Sequence, residues 1–334
     1  MTALNVMEAG AQHAEAVLGV IHRAFAVRPP LDPPSTAMQE TVESVRAALS
    51  DAGGLLVLRR GLPVGAMFFD RSRPGLLGLK RVSVDPAHQG HGVASAMVGV
   101  AEDVAESYEY DGVWLTAREE LPDNLAFWQR RGYVRIGVDG PSVQLGKTLW
   151  VARTLPTAKD TRALGGRLAR MLCAGDLLVL TGGLGAGKTT LAQGIGTGLG
   201  VRGPVTSPTY VISRVHPSLV DGPALVHVDA YRLDGAAELD DLDLDASLEE
   251  SVTVVEWGEG LAEGLSDNWL ELRLDHLGDG SSRGAAALAA AGPWRNRVPS
   301  PVELSPGEDT RVVSVRPHGP RWVGVRLRSA VLAH

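Results

Sequence analysis

The chain has 334 residues, 44% hydrophobic and 21% charged, with a net charge of −7 and one cysteine, Cys173. That length predicts about two domains with separate cores, and a lone cysteine excludes an internal disulfide framework and fits a reducing cytoplasm. The negative balance excludes a protein that coats nucleic acid unaided; the opening residues do not read as a secretory leader and no apolar run approaches the ~20 residues that span a bilayer, so a soluble cytoplasmic chain with no membrane partner is expected.

The first half predicts mixed α/β structure. A helix is expected over 13–25, two strands over 54–70 around a turn, and a further strand over 77–85. A helix from Ala94 to Ser107, a strand over 112–117 and a helix over 124–132 follow, with two closing strands in 133–155. Pro156 and its polar neighbours break the periodicity, which places the domains at 1–152 and 155–334. Helix resumes over 161–172 and leads to a buried strand within 175–183. The Ala-, Gly-, Pro- and Ser-rich stretch 278–308 reads as an insertion.

Charge is uneven along the second half. Residues 234–250 hold eight acids and no Lys or Arg, whereas 279–334 hold eight Arg against four acids. Both segments fit solvated surface; the sharper reading is an acidic switch region and a basic tail facing a partner.

The stretch "LTGGLGAGKTTLAQGIG" contains Gly-x-x-x-x-Gly-Lys-Thr, with Gly182, Gly187, Lys188 and Thr189 at the fixed places between a strand and a helix. Glycines let successive N–H groups point at phosphate oxygens, and the following helix adds its positive end. Gly182, Gly185, Ala186, Gly187, Lys188 and Thr189 are therefore candidate nucleotide contacts. Asp229 ends the strand "ALVHVD" and Glu256 ends "SVTVVE". Carboxyl ends of neighbouring parallel strands open on one crevice, so both acids are candidate Mg²⁺ ligands beside Thr189, and Lys188, Asp229 and Glu256 are the candidate catalytic residues.

"GLGAGKTT", "SPTY" (207–210), "HVDAYRL" and "VVEW" (254–257), in that order, resemble the TsaE family of bacterial tRNA threonylcarbamoyladenosine synthesis. The resemblance covers 155–334. It implies an ATP- and Mg²⁺-dependent ATPase with a mostly parallel P-loop sheet, with Lys188, Thr189 and Thr190 on nucleotide and Mg²⁺ and a switch segment holding Thr209. It also implies TsaB-like and TsaD-like protein partners, through which tRNA adenosine 37 is reached indirectly. Two departures stand out: Gly183 replaces an acid common in the family, and "AELDDLDLD" lacks the glycine of the corresponding segment.

"VSVDPAHQGHGVASAMV", followed by "NLAFWQRRGYV", resembles the GNAT superfamily of acyl-CoA-dependent N-acetyltransferases over about 1–152, which implies a mixed sheet with flanking helices. By that resemblance acetyl-CoA places its pyrophosphate on Gln89, Gly90, His91, Gly92, Val93 and Ala94, its pantetheine along Val82 and Val84, and part of its length against Asn124. The family commonly has Phe-Tyr where this chain has Phe127-Trp128, and an indole N–H is a poor acid. Glu119, Glu120, Tyr108 and Tyr110 are alternative proton carriers. His88 and His91 read as surface residues.

More than one function remains open for each half. The second fits an ATPase serving a tRNA-modifying complex, a small-molecule P-loop kinase or a nucleotide-gated scaffold. The first fits an acetyltransferase or a degenerate acyl-CoA sensor.

Overall fold

The computed structural model describes residues 4–208, 212–233, 238, 248–276 and 310–333. They fall into two units, Met1–Leu149 with Val323–Val325 and Trp150–Trp322 with Arg326–His334.

In the first unit β1 (Leu4–Ala9), β2 (Gly54–Arg59), β3 (Leu62–Arg73), β4 (Leu76–Val84), β5 (Gly112–Arg118), β6 (Val134–Asp139) and β7 (Ser142–Thr148) form a sheet in the order β1-β2-β3-β4-β5-β7-β6. Its helices are α1 (Ala14–Ala26), α2 (Val42–Asp51), α3 (Val93–Ser107) and α4 (Pro122–Gln129). Side chains alternate across a strand, so Leu56, Ala66 and Phe68 pack with α1 and α2, whereas Leu55, Val57, Met67 and Phe69 pack with α3. The first helix buries Val17, Val20, Ile21 and Ala24, the i, i+3, i+4, i+7 stripe of an amphipathic helix. Thr41 and Ser44 cap α2 by exchanging backbone and hydroxyl hydrogen bonds.

One pairing in this sheet makes a site. The β4–β5 pair is parallel and extends only from Leu76↔Gly112 to Leu79↔Leu115, although β4 stays paired to β3 as far as Val84. A register shift between Ala66 and Phe68 and the positive φ of Arg81 (54°) mark a bulge where β4 leaves β5. Beyond it, among the described residues, no strand pairs with the β5-facing edge of β4.

The second unit contains β8 (Val151–Leu155), β9 (Leu177–Thr181), β10 (Ser213–His216), β11 (Ala224–Asp229), β12 (Ser251–Glu256), β13 (Trp269–His276) and β14 (Arg311–His318), in the order β10-β11-β12-β9-β13-β14-β8. The central strands β11-β12-β9-β13 are parallel, and β9 and β12 are buried along their whole length, as their unbroken apolar runs require. The expectation of a mostly parallel sheet holds for this centre and fails at the edges, where β10–β11, β13–β14 and β14–β8 are antiparallel. Only residues 217–223 separate β10 from β11, too few for the crossover that a parallel pair needs. Val151 and Ala152 pair with β14, so this strand belongs to the second sheet and does not close the first.

Helices α5 (Ala158–Ala169), α6 (Lys188–Leu199) and α7 (Leu327–Leu332) complete the unit. Glycine is a poor helix former, yet α5 and α6 hold five of them in "LGGR" and "QGIGTGL". Three lie where the helices touch: a Cβ on Gly194 would come 2.2 Å from the Arg162 carbonyl, one on Gly165 2.5 Å from the Leu191 carbonyl, and one on Gly198 2.5 Å from the Ala169 Cβ. Among the described residues no helix is long and apolar enough to cross a membrane.

Candidate functional site

The phosphate cradle lies between β9 and α6. Gly182, Gly185 and Gly187 have φ of +132°, +76° and +102°, values that favour glycine. The two sides of this loop differ. A Cβ on Gly182 would meet the Leu274 carbonyl of β13 at 2.1 Å, whereas Gly183 and Gly185 face open space. The loop is thus pressed against the sheet on one side and open on the other.

A cavity of about 450 Å³ lies on the open side, lined by Gly185, Ala186, Gly187, Lys188, Thr189, Thr190, Asp229 and Glu256 together with Ser207, Tyr231 and Trp257. Asp229 and Glu256 are register partners on β11 and β12. Thr189 Oγ1 donates to Glu256 Oε2 at 3.0 Å, and His227 Nε2 lies 2.9 Å from Glu256 Oε1. Asp229 is held otherwise: Oδ2 accepts from the Ser207 hydroxyl at 2.9 Å and Oδ1 from the Tyr231 N–H at 3.2 Å. Lys188 Nζ donates to the Gly182 and Gly183 carbonyls at 2.8 and 2.9 Å and sits 3.5 Å from the Trp257 ring centroid. Burial lowers its pKa, opposed by the charges of Glu256 and Asp229.

The donor set suits a hard divalent cation shared with phosphate, since one hydroxyl and two carboxylates meet at the mouth of an N–H-lined loop. Among the described residues no cluster of three His, Cys, Asp or Glu could hold a metal without such help.

Sequence reasoning missed His227, although it stands two residues before Asp229 and so shares its face of β11. It also missed the hydroxyl contact of Ser207 and the cover of Trp257, whose φ of +62° turns the chain at the end of β12. Thr209, most of 234–250 and the stretch 278–308 lie outside the described residues.

In the first unit the parting of β4 and β5 opens a cleft of about 1030 Å³, with Val82, Val84, Gln89, Ala94 and Asn124 in its walls. Gly90, His91, Gly92 and Val93 lie on the turn into α3 and do not line it. Gly90 and Gly92 have φ of +74° and +78°, and a Cβ on either would meet no protein atom within 4 Å. Phe127 and Trp128 are in the wall. Tyr108, Tyr110, Glu119 and Glu120 are not. Glu119 pairs with Arg135 at 2.8 Å, and the Arg118 guanidinium holds the Glu120 carboxyl down at about 2, which leaves Glu120 a very weak base.

These two sites define a P-loop nucleotide-binding unit and, in the first unit, a cleft where two parallel strands part. Residues 155–284 match the family of the threonylcarbamoyl adenosine biosynthesis protein TsaE, and residues 7–133 match the acetyltransferase (GNAT) family. The tRNA threonylcarbamoyladenosine biosynthesis protein TsaE of Streptomyces coelicolor is 67% identical over 120 residues, covering 35% of this chain and 81% of that protein. Its counterpart from Mycobacterium bovis is 51% identical over 150 residues, covering 43% of this chain and 89% of the relative. The chain belongs to the TsaE family and carries a GNAT domain ahead of it. A PaiA N-acetyltransferase from Thermoplasma acidophilum, solved with coenzyme A, covers 44% of this chain and 99% of its own length at 11% identity and a TM-score of 0.40.

Proposed function

We propose that the second domain, 155–334, is a Mg²⁺-dependent ATPase of the machinery that makes threonylcarbamoyladenosine in tRNA, acting beside TsaB-like and TsaD-like subunits. The first domain, which ends near Leu149, is proposed as an acetyl-CoA-dependent N-acetyltransferase. The observation that carries the ATPase reading is the Thr189–Glu256 hydrogen bond at the mouth of the glycine cradle.

In this reading the N–H groups of 185–190 hold the phosphates and Lys188 supplies a desolvated positive charge beside them. Thr189, Glu256 and Asp229 hold the metal, which when bound offsets charge on the phosphoryl oxygens. His227 keeps the Glu256 carboxylate turned toward Thr189. Ser207, the first residue of "SPTY", donates its hydroxyl to Asp229 on the same rim.

In the first domain the amine nitrogen attacks the thioester carbonyl, the C–N bond forms and the C–S bond breaks. The amine gives up a proton and the departing thiolate takes one. Trp128 supplies no hydroxyl for that proton, so in this reading it comes from another group of the cleft or from solvent.

The test measures phosphate release from ATP by the purified chain, alone and with the two partner subunits and tRNA, alongside a screen of phosphoryl acceptors. Free phosphate together with modified tRNA is expected. A phosphorylated small molecule would replace the reading with that of a kinase. Acetyl-CoA binding is measured by calorimetry on the same chain.

A further inference from the structure

The lining of the first unit's cleft is mixed in chemistry. Past its bulge β4 contributes Val82 and Val84, and the turn into α3 adds Gln89. The segment that follows α1, β4 at its bulge and the end of β5 bring in Arg28, Arg81 and Arg118, and the acids Glu40 and Asp123 also line the cleft.

Two of these arginines are already engaged. Arg81 donates from Nε to Glu40 Oε1 at 2.9 Å and from Nη2 to the Thr36 hydroxyl at 2.8 Å. Arg118 donates to both oxygens of Glu120, at 3.0 and 2.6 Å. Arg28 is different. Its guanidinium lies 3.7 Å from the Phe25 ring centroid and reaches a single carbonyl, that of Val82, at 3.5 Å. No carboxylate pairs with it among the described residues. Burial lowers its pKa first, and the like charge of Arg81 lowers it further.

A half-buried guanidinium beside another cation is costly unless an anion completes it. The planar fork of Arg28 keeps donors for one, in the geometry that takes a carboxylate or phosphate through two parallel bonds. Its carbonyl contact places it beside Val82, on the stretch of β4 that has parted from β5. Arg28 therefore brings a guanidinium without a carboxylate partner among the described residues to the cleft, beside that stretch of strand.

We infer that the amine accepted by this domain carries its own anionic group, a carboxylate or a phosphate, and that Arg28 is the residue that binds it. This rests on the acetyltransferase reading of the first domain.

The experiment uses the full chain and acetyl-CoA, with thiol release as the readout. Glycine, β-alanine and glycylglycine carry a carboxylate and O-phosphoethanolamine a phosphate; glycinamide, glycylglycinamide and ethanolamine are the neutral counterparts. Rates are compared per unprotonated amine, which removes differences in amine basicity. The charged acceptors should be preferred, and the two charged sets tell carboxylate from phosphate. In Arg28→Met the charged-to-neutral ratio of kcat/KM should fall about thirtyfold, with partial recovery in Arg28→Lys. Acetyl-CoA affinity and the melting temperature are measured on both variants, so that a folding defect is seen as such. If neutral amines are acetylated as well as charged ones, the inference is overturned and the acetyltransferase reading stands. The inference is also overturned if Arg28→Met weakens acetyl-CoA binding while leaving the ratio unchanged, because Arg28 would then read the cofactor. If acetyl-CoA binds and no amine of either set is acetylated, or if it does not bind, the acetyltransferase reading and the inference fall together.

Discussion

Thr189 Oγ1 and His227 Nε2 bind opposite oxygens of one carboxylate, that of Glu256, at 3.0 and 2.9 Å. One partner opens the nucleotide helix and the other is buried in the neighbouring strand, so Glu256 is fixed between cradle and sheet. A carboxylate held this way matters most when charge develops on the transferring phosphoryl group. Glu256→Gln should lower kcat for ATP hydrolysis by ~10² while changing nucleotide Kd only modestly. Asp229→Asn should lower kcat by a similar ~10², and because it also disturbs the Ser207 contact it should weaken stimulation by the partner subunits. Single-turnover hydrolysis and equilibrium binding, with and without partners, separate the two; unchanged kcat in both variants would place the metal elsewhere.

Lys188→Ala should abolish hydrolysis and leave the fold intact. The ammonium is partly desolvated, and its protein contacts are two carbonyls of the loop and one ring face. Losing a cation–π contact of ~1 kcal/mol is offset by removing a buried charge, so stability should change by less than ~1 kcal/mol. Calorimetric melting gives the stability and phosphate release the activity. A variant that turned over like its parent would remove Lys188 from the site.

The second site was legible because its residues stand at strand ends. The runs "LLVL", "ALVHVD" and "VTVVE" announce buried strands, and the rule that their carboxyl ends open on one crevice brings Asp229 and Glu256 together. What could not be read is direction at the edges. Nothing in "VARTL" says whether that strand pairs with β7 or β14, since an apolar pentapeptide satisfies either neighbour; the pairing with β14 decides it. Nor does the sequence say which of Glu119, Glu120, Tyr108 and Tyr110 reach the cleft. Two salt bridges take the acids away, and the tyrosines stand at the far end of α3, beyond the part of β5 that lines the opening. The isolated charge of Arg28 is invisible in sequence, because its neighbours in space come from α1 and β4.

Gly92→Val should weaken acetyl-CoA binding at least tenfold, ~1.4 kcal/mol. Gly92 has φ of +78°, where a β-branched residue is strained, and the space beside it is open. Strain and lost binding are separated by a control. Gly61, in the β2–β3 turn, has φ of +79° and equally open surroundings, so Gly61→Val should lower the melting temperature similarly while leaving acetyl-CoA affinity alone. Equal calorimetric affinities for the parent and Gly92→Val would withdraw the assignment of this turn.

The close crossing of α5 and α6 predicts opposite outcomes for the same substitution at two helical glycines. Gly99 lies on an exposed face of α3, and a Cβ there meets nothing within 4 Å. Gly99→Ala should therefore add ~0.5–1 kcal/mol of stability through helix propensity and the lower entropy of the unfolded chain. Gly194→Ala receives the same propensity gain but sets its methyl group 2.2 Å from the Arg162 carbonyl. Backbone cannot rotate away as a side chain does, so the two helices must separate along their whole contact, which includes Gly165 and Gly198. Overpacking of this kind costs ~1–3 kcal/mol and outweighs the gain. The consequence reaches the nucleotide site, because α6 begins with Lys188 and Thr189. Displacing it moves Thr189 relative to Glu256, which stays with the sheet, so turnover should fall more than affinity. Differential scanning calorimetry follows the melting transitions, and nucleotide Kd and kcat are measured on the same samples. If Gly194→Ala melted at or above the parent temperature with unchanged kcat, the helices would not be in backbone contact and their glycines would need another explanation.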